Sequence, residues 1–158
     1  MALQLTNVTK EITFDAAHML SNYDGKCSNL HGHTYRVAVT LSGHPNTTKT
    51  ASDSHMVMDF GDLKSIMQSE IMNRMDHALL ISAEEFRTEA EGALMNWASK
   101  FGKKKCIMPS RTTAEDMAFA IGSWVRDALQ SRYHDINDRL QVSVKLWETP
   151  TSYAEVKV

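Results

Sequence analysis

His31, Gly32 and His33 place two imidazoles at i and i+2, so in an extended segment both project from one face. Tyr35, Val37, Val39 and Leu41 continue that parity, while Thr34, Arg36, Thr40 and Ser42 fill most of the other. The two histidines therefore begin the apolar face of a strand that runs to about Ser42. An earlier run, roughly Leu5 to His18, has the same period: Val8, Ile12, Phe14 and Ala16 share a parity with His18, and Thr9, Glu11, Thr13 and Asp15 hold the other. If the two strands pair antiparallel, the end of the first lies beside the start of the second and three imidazoles converge. Three neutral imidazoles with an open fourth position make a catalytic zinc site. Cys27 could instead close the site as a fourth ligand and make it inert, and three unrelated histidines are the remaining alternative.

Cys27 also admits a chemical role. It sits in the connection from Met19 to Leu30, beside Lys26 and four residues before His31. A loop between rigid strands can carry a reactive group over the mouth of a sheet, and nearby cations favour a thiolate. A ligand or a half-buried thiol are the alternatives. Asp76 and His77 follow a helical pattern, and a carboxylate beside an imidazole can act as a proton relay, although the dipeptide alone is a weak signal. Along Leu140 to Glu148 the alternation of Leu140, Val142, Val144 and Leu146 carries Glu148 onto the apolar face. A carboxylate there is costly unless something meets it. A polar heterocycle with adjacent N–H donors would do so through two charge-assisted hydrogen bonds, and so would an arginine.

The elements that must position these groups follow from pattern. Thr47 to His55 is polar and predicts a hairpin loop, with His44 and His55 in solvent. Met56, Val57 and Met58 predict a short third strand, and Asp59 is an N-cap candidate for a helix ending near Arg74, whose stripe is Phe60, Leu63, Ile66, Met67 and Ile71. Ser82 to Lys105 predicts a helical insertion with an apolar stripe of Leu94, Trp97, Ala98 and Phe101, either a solvated surface helix or a lid. Cys106 falls in a short strand as a packing residue. Thr112 and Glu115 have capping-box spacing, with Thr112 as N-cap of a second long helix that ends before Asp135. Ser152 to Val158 predicts a terminal strand. The fold class is α+β, a four-stranded antiparallel sheet with two helices on one face.

At 158 residues the chain is expected to be one domain, 1–158, with 82–105 inserted in it. Seventeen basic against 19 acidic residues give a net charge of −2, which offers no basic surface for nucleic acid or anionic lipid. The N-terminus has no basic segment before a long apolar run, and no later stretch reaches the length of a membrane span, so a soluble, cytoplasmic protein is expected. Two dissimilar cysteines make no disulfide framework and fit a reducing compartment.

Several of these stretches occur together in one known order. Phe14-Asp15-Ala16-Ala17-His18, Cys27-Ser28-Asn29-Leu30-His31-Gly32-His33-Thr34-Tyr35, Met58-Asp59-Phe60-Gly61-Asp62-Leu63-Lys64, Asp76-His77, Thr113-Ala114-Glu115 and Glu148-Thr149 resemble the 6-pyruvoyltetrahydropterin and 6-carboxytetrahydropterin synthase family from about Ile12 to Thr149. The four-residue interval from Cys27 to His31 is similar to the carboxytetrahydropterin branch of queuosine and other 7-deazaguanine pathways. Met19, Ile81 and Thr112 depart from the usual arginine, asparagine and proline, and none is a proposed ligand or catalytic residue.

The resemblance implies a tunnelling fold whose sheets join into a barrel in a hexamer, a dimer of trimers. It implies zinc on His18, His31 and His33, and 7,8-dihydroneopterin triphosphate as substrate. Cys27 would be the base, Asp76 and His77 the relay, and Glu148 the anchor of the pterin ring, with Thr113 also toward substrate. The implied activity is that of a lyase releasing triphosphate and acetaldehyde. A pyruvoyl synthase that stops at triphosphate elimination, or a non-catalytic pterin-binding module, are the alternatives.

Overall fold

The computed structural model describes residues 4–133 and 139–158. Strands β1 (Thr6–His18) and β2 (His31–Gly43) form a long antiparallel hairpin in unbroken register from Thr6 opposite Gly43 to His18 opposite His31. Their alternation does what the pattern predicts: Phe14, Ala16 and His18 are buried on the face that also buries Tyr35, Val37, Val39 and Leu41. Thr9, Glu11, Thr13 and Asp15 are exposed on the other face.

Strand β3 (Ala78–Ser82), β4 (Lys105–Met108), β5 (Leu140–Thr149) and β6 (Ser152–Lys157) extend this hairpin into a six-stranded sheet of order β4-β3-β1-β2-β5-β6. β5 and β6 pair antiparallel as expected, but β3 runs parallel to β1 and β4 parallel to β3. The expected sheet of four antiparallel strands is therefore corrected to a mixed one of six. Ala78, Leu80, Ile81 and Ser82 are buried nearly without alternation, as in a parallel strand covered on both faces, which is why period-2 reasoning passes over them.

Met56 to Met58 is not a strand. The polar loop before it is closed by Asn46 and Met56, whose main chains bond at 2.8 Å, and no ladder continues beyond that pair. Asp59 caps α1 (Phe60–Met67) as expected, its Oδ1 accepting from the N–H groups of Gly61 at 2.7 Å and Asp62 at 3.2 Å. A π-helical turn, Gln68–Met72, leads from α1 into α2 (Asn73–Met75), so the expected single helix carries one wide turn and still keeps Leu63, Ile66, Met67, Ile71 and Met75 buried.

The insertion forms α3 (Glu89–Lys100), held by a capping box between Thr88 and Glu91. Of its expected stripe only Ala98 is fully buried, while Trp97 and Phe101 are 48% and 56% exposed. The last helix, α4 (Ala114–Arg132), starts one residue later than the spacing predicts: Thr113, not Thr112, is its N-cap, accepting from Asp116 N–H at 3.3 Å. Thr112 is committed elsewhere, fully buried with its hydroxyl donating to the Met19 carbonyl at 3.0 Å. Residues 135–138, expected after this helix, lie outside the described part. α4 buries Met117, Ile121, Val125 and Leu129 against the sheet. Gly122 permits the close approach, since a methyl group there would meet Val158 at 3.0 Å. Among the described residues no helix is long and apolar enough to cross a membrane.

Candidate active site

The hairpin register sets His18 opposite His31 and Ala16 opposite His33, which brings the three rings together at one end of the sheet. Ring centroids are 4.6 Å apart for His18 and His31, 4.9 Å for His31 and His33, and 5.4 Å for His18 and His33. One ring nitrogen from each lies within 4.8 Å of the others. A tetrahedral ion with nitrogens at about 2.1 Å needs edges of roughly 3.4 Å, so small ring rotations complete the set.

The other ring nitrogens are already committed. His18 Nδ1 is 2.8 Å from the Thr112 carbonyl and His31 Nδ1 2.7 Å from the Asn29 carbonyl. A carbonyl only accepts, so both Nδ1 atoms carry the proton and both Nε2 atoms present a lone pair. The Nε2 atoms of all three histidines are buried with no hydrogen-bond partner. Glu148 Oε1 stands 3.4 Å from His18 Nε2 and 3.7 Å from His33 Nε2. A carboxylate oxygen facing the His18 lone pair is repulsive, and a cation between them turns that contact favourable. These residues therefore fit a metal ion.

Burial favours the neutral imidazole at His18 and His33, the form a metal needs. It pushes His18 down to about 4; the Thr112 carbonyl opposes that, and the neighbouring His31 and His33 add to it. His33 is lowered by burial too, with Glu148 pulling the other way. Below them the Tyr35 ring lies edge-on to His33 at 5.5 Å, its hydroxyl buried without a partner. Burial, then the charges of Glu148 and Cys27, raise that hydroxyl far above the usual phenol range.

Cys27 is half-buried in a single turn, Lys26–Ser28, and is a free thiol. The metal-capable group contains the three histidines and no cysteine, so among the described residues the closed Cys/His3 arrangement is not formed. Glu148 has no arginine within salt-bridge distance among the described residues; its neighbours are the histidines.

Asp76 and His77 are a pair, with His77 Nδ1 3.0 Å from Asp76 Oδ2. Asp15 holds both through its main chain: its N–H donates to Asp76 Oδ1 at 3.2 Å and its carbonyl accepts from His77 N–H at 2.7 Å. Slight burial favours the Asp76 acid, but the Asp15 N–H, His77 and Lys104 outweigh it and hold the carboxyl below its usual range. His77 has φ +56°, a left-handed conformation uncommon for a non-glycine residue. Its side chain is 77% exposed and borders a cavity of about 590 Å³ with Asp15, Ala17, Gly32 and Thr34. Those four have the opposite parity to the three histidines, although His33 also borders the cavity.

Thr113 is where α4 begins, next to the carbonyl that orients His18. Sequence reasoning passed over the carbonyls of Thr112 and Asn29 and the main chain of Asp15, because backbone groups carry no residue signature.

Residues 7–158 match the family described as 6-pyruvoyl tetrahydropterin synthase. A 6-carboxy-5,6,7,8-tetrahydropterin synthase of Haemophilus influenzae is 40% identical over 149 residues, covering 94% of this chain and 96% of its own. A Pyrococcus abyssi protein named as a putative 6-carboxy-5,6,7,8-tetrahydropterin synthase is 34% identical over 154 residues, covering 94% and 86%. Among solved structures, a catalytic-residue variant of Plasmodium vivax 6-pyruvoyltetrahydropterin synthase superposes with a TM-score of 0.72 at 17% identity, covering 98% of each chain, a likeness of fold.

Proposed function

Because the chain belongs to the 6-pyruvoyl tetrahydropterin synthase family, we propose that it is a zinc-dependent lyase that converts 7,8-dihydroneopterin triphosphate to 6-carboxy-5,6,7,8-tetrahydropterin, releasing acetaldehyde and triphosphate, in 7-deazaguanine (queuosine) synthesis. The observation that carries this reading is the convergence of three unpartnered, buried imidazole nitrogens beside the Glu148 carboxylate. The names of the relatives and the interval from Cys27 to His31 favour the carboxy branch.

His18, His31 and His33 would hold the zinc, which when bound supplies a Lewis acid that stabilises negative charge on substrate oxygens. Glu148 accepts from adjacent N–H groups of the pterin ring and fixes its orientation, with Thr113 on the same side of the site. Cys27 takes a carbon-bound proton of the substrate side chain as a thiolate. His77, oriented by Asp76, returns a proton.

The His77 side chain borders a cavity lined largely from the sheet face opposite the metal ligands. That placement suits the arrangement the family resemblance implies, in which a second copy supplies the relay to each metal centre in a hexamer of stacked trimers whose sheets join into a barrel. Each copy is one domain, 1–158, with 82–105 as a helical insertion. The free thiols of Cys27 and Cys106 suit the cytoplasm.

The test is incubation of the zinc-loaded protein with dihydroneopterin triphosphate, following acetaldehyde and the pterin by mass. Acetaldehyde with the 6-carboxy product supports the reading. Triphosphate release without acetaldehyde moves the protein to the pyruvoyl reaction, and no turnover with zinc present leaves a pterin-binding module.

A further inference from the structure

The connection that carries Cys27 is closed on itself and tied to the rest of the protein at few points. Leu20 N–H donates to the Cys27 carbonyl at 2.8 Å, which draws the two sides of the connection together. Its far end is shaped locally: Ser28 donates to the Gly25 carbonyl, and Asn29 donates to the Lys26 carbonyl, each through main chain and side chain. Apart from His31 on the Asn29 carbonyl, two hydrogen bonds join residues 19–30 to other parts of the chain among the described residues. Both come from consecutive residues in front of α4: Arg111 Nη2 donates to the Ser21 carbonyl at 2.8 Å, and the Thr112 hydroxyl to the Met19 carbonyl at 3.0 Å.

The two bonds reach different places. Thr112 also presents the carbonyl that orients His18, so its side chain holds the start of the connection beside the histidine cluster. Arg111 reaches two residues further, to Ser21, which follows the residue bonded to Cys27. Its guanidinium is half-buried and has no carboxylate within salt-bridge distance among the described residues. A charged donor on a carbonyl outweighs a neutral amide bond, so this contact is the stronger of the two ties.

We infer that Arg111 is a positioning residue: through Ser21 and the Leu20–Cys27 pair it sets where the Cys27 thiol stands relative to the three histidines. Residues 111 and 112 then hold both halves of the site from one place, His18 through Thr112 and the thiol through Arg111. The role of the thiol as a base rests on the lyase reading, whereas the tie itself does not.

Arg111→Met removes the donor and keeps much of the apolar stem, and Arg111→Lys keeps a cation able to reach one carbonyl. Both are compared with the wild type, zinc-loaded, by zinc content, by the rate at which iodoacetamide alkylates each cysteine, and by turnover of dihydroneopterin triphosphate. Cys106, buried in β4, is the reference thiol within the same chain. In Arg111→Met, Cys27 should be alkylated several-fold faster while Cys106 stays slow and zinc is retained. Its kcat should fall by about 10- to 100-fold at nearly unchanged KM, since a displaced base costs rate rather than binding. Arg111→Lys should recover most of both. Unchanged alkylation of Cys27 in Arg111→Met overturns the assignment, and so does an equal rise at Cys106, which would mean that the whole fold has loosened. A raised KM at constant kcat overturns it too, because the guanidinium would then act on substrate. A wild type that turns nothing over, with Cys27 alkylation still fastest in Arg111→Met and restored in Arg111→Lys, would refute the lyase reading and leave the tie standing.

Discussion

Acidifying the metal-free protein should cost it stability in a window that belongs to His18. Unfolded, this histidine takes its proton near 6.5; folded, it does so only at about 4. Between those values the unfolded chain binds more protons, so stability is complete above the unfolded value and is lost as pH falls toward the folded one. A gap of about 2.5 units at about 1.36 kcal/mol each sets a ceiling of about 3.4 kcal/mol, of which about 2 is lost by pH 5. His33, lowered by burial, adds with the same sign. Asp76 does not contribute there: its pKa is depressed, so its contribution is present above the usual carboxylate value near 3.8 and is lost only below it. Urea unfolding followed by tryptophan fluorescence, at fixed protein concentration with chelator present, measures this from pH 7.5 to 5. His18→Asn is the control, since its amide can still donate to the Thr112 carbonyl but does not titrate. The wild type should lose about 2 kcal/mol more than the variant across that range. Zinc should suppress the loss until the metal leaves, because the ligands are held deprotonated. Parallel pH profiles for the two metal-free proteins would refute the assignment.

Cys27→Ala should keep one zinc per chain by metal analysis and lower kcat by about 10²- to 10⁴-fold, whereas loss of metal would restore Cys27 as a ligand. His31→Ala should lose the metal itself at micromolar zinc, and full retention would remove His31 from the ligand set. Asp76→Asn should lower kcat by about 10²-fold and change the pH–rate profile; an unaltered profile would show that His77 needs no orienting carboxylate. Glu91, 2% exposed, accepts from Ser82 and Thr88, so Glu91→Ala should cost about 2 kcal/mol and open 83–88 to protease first. Unchanged proteolysis would mean that the insertion is not anchored there.

The convergence of the three histidines was legible because they obey strand parity and the strands pair in the simplest way. His18, His31 and His33 each fall on the face that Phe14 and Val37 define, and a two-residue period needs no knowledge of distant contacts. Glu148 was legible for the same reason. β3 was not, since a strand buried on both faces shows no alternation, and Ala78, Leu80 and Ile81 read equally as the tail of a helix. The shift of the helix cap from Thr112 to Thr113 was decided by a tertiary contact, the Thr112 hydroxyl on Met19, which capping spacing does not encode. Trp97 and Phe101 were placed in an apolar stripe by periodicity, yet α3 meets the rest of the protein mainly through Ala98 and Glu91.

The unbroken hairpin ladder also limits how such a chain can change length over generations. One residue gained or lost inside β1 or β2 would swing every side chain beyond it to the other face and scatter the three imidazoles. The connection from Met19 to Leu30 is under no such rule. Its middle, between the Met19 and Asn29 carbonyls that hold Thr112 and His31, can lengthen or shorten without moving the three histidines, and Cys27 moves with it. Heritable variation on this scaffold is therefore channelled into one loop, while the three-histidine cluster is passed on intact.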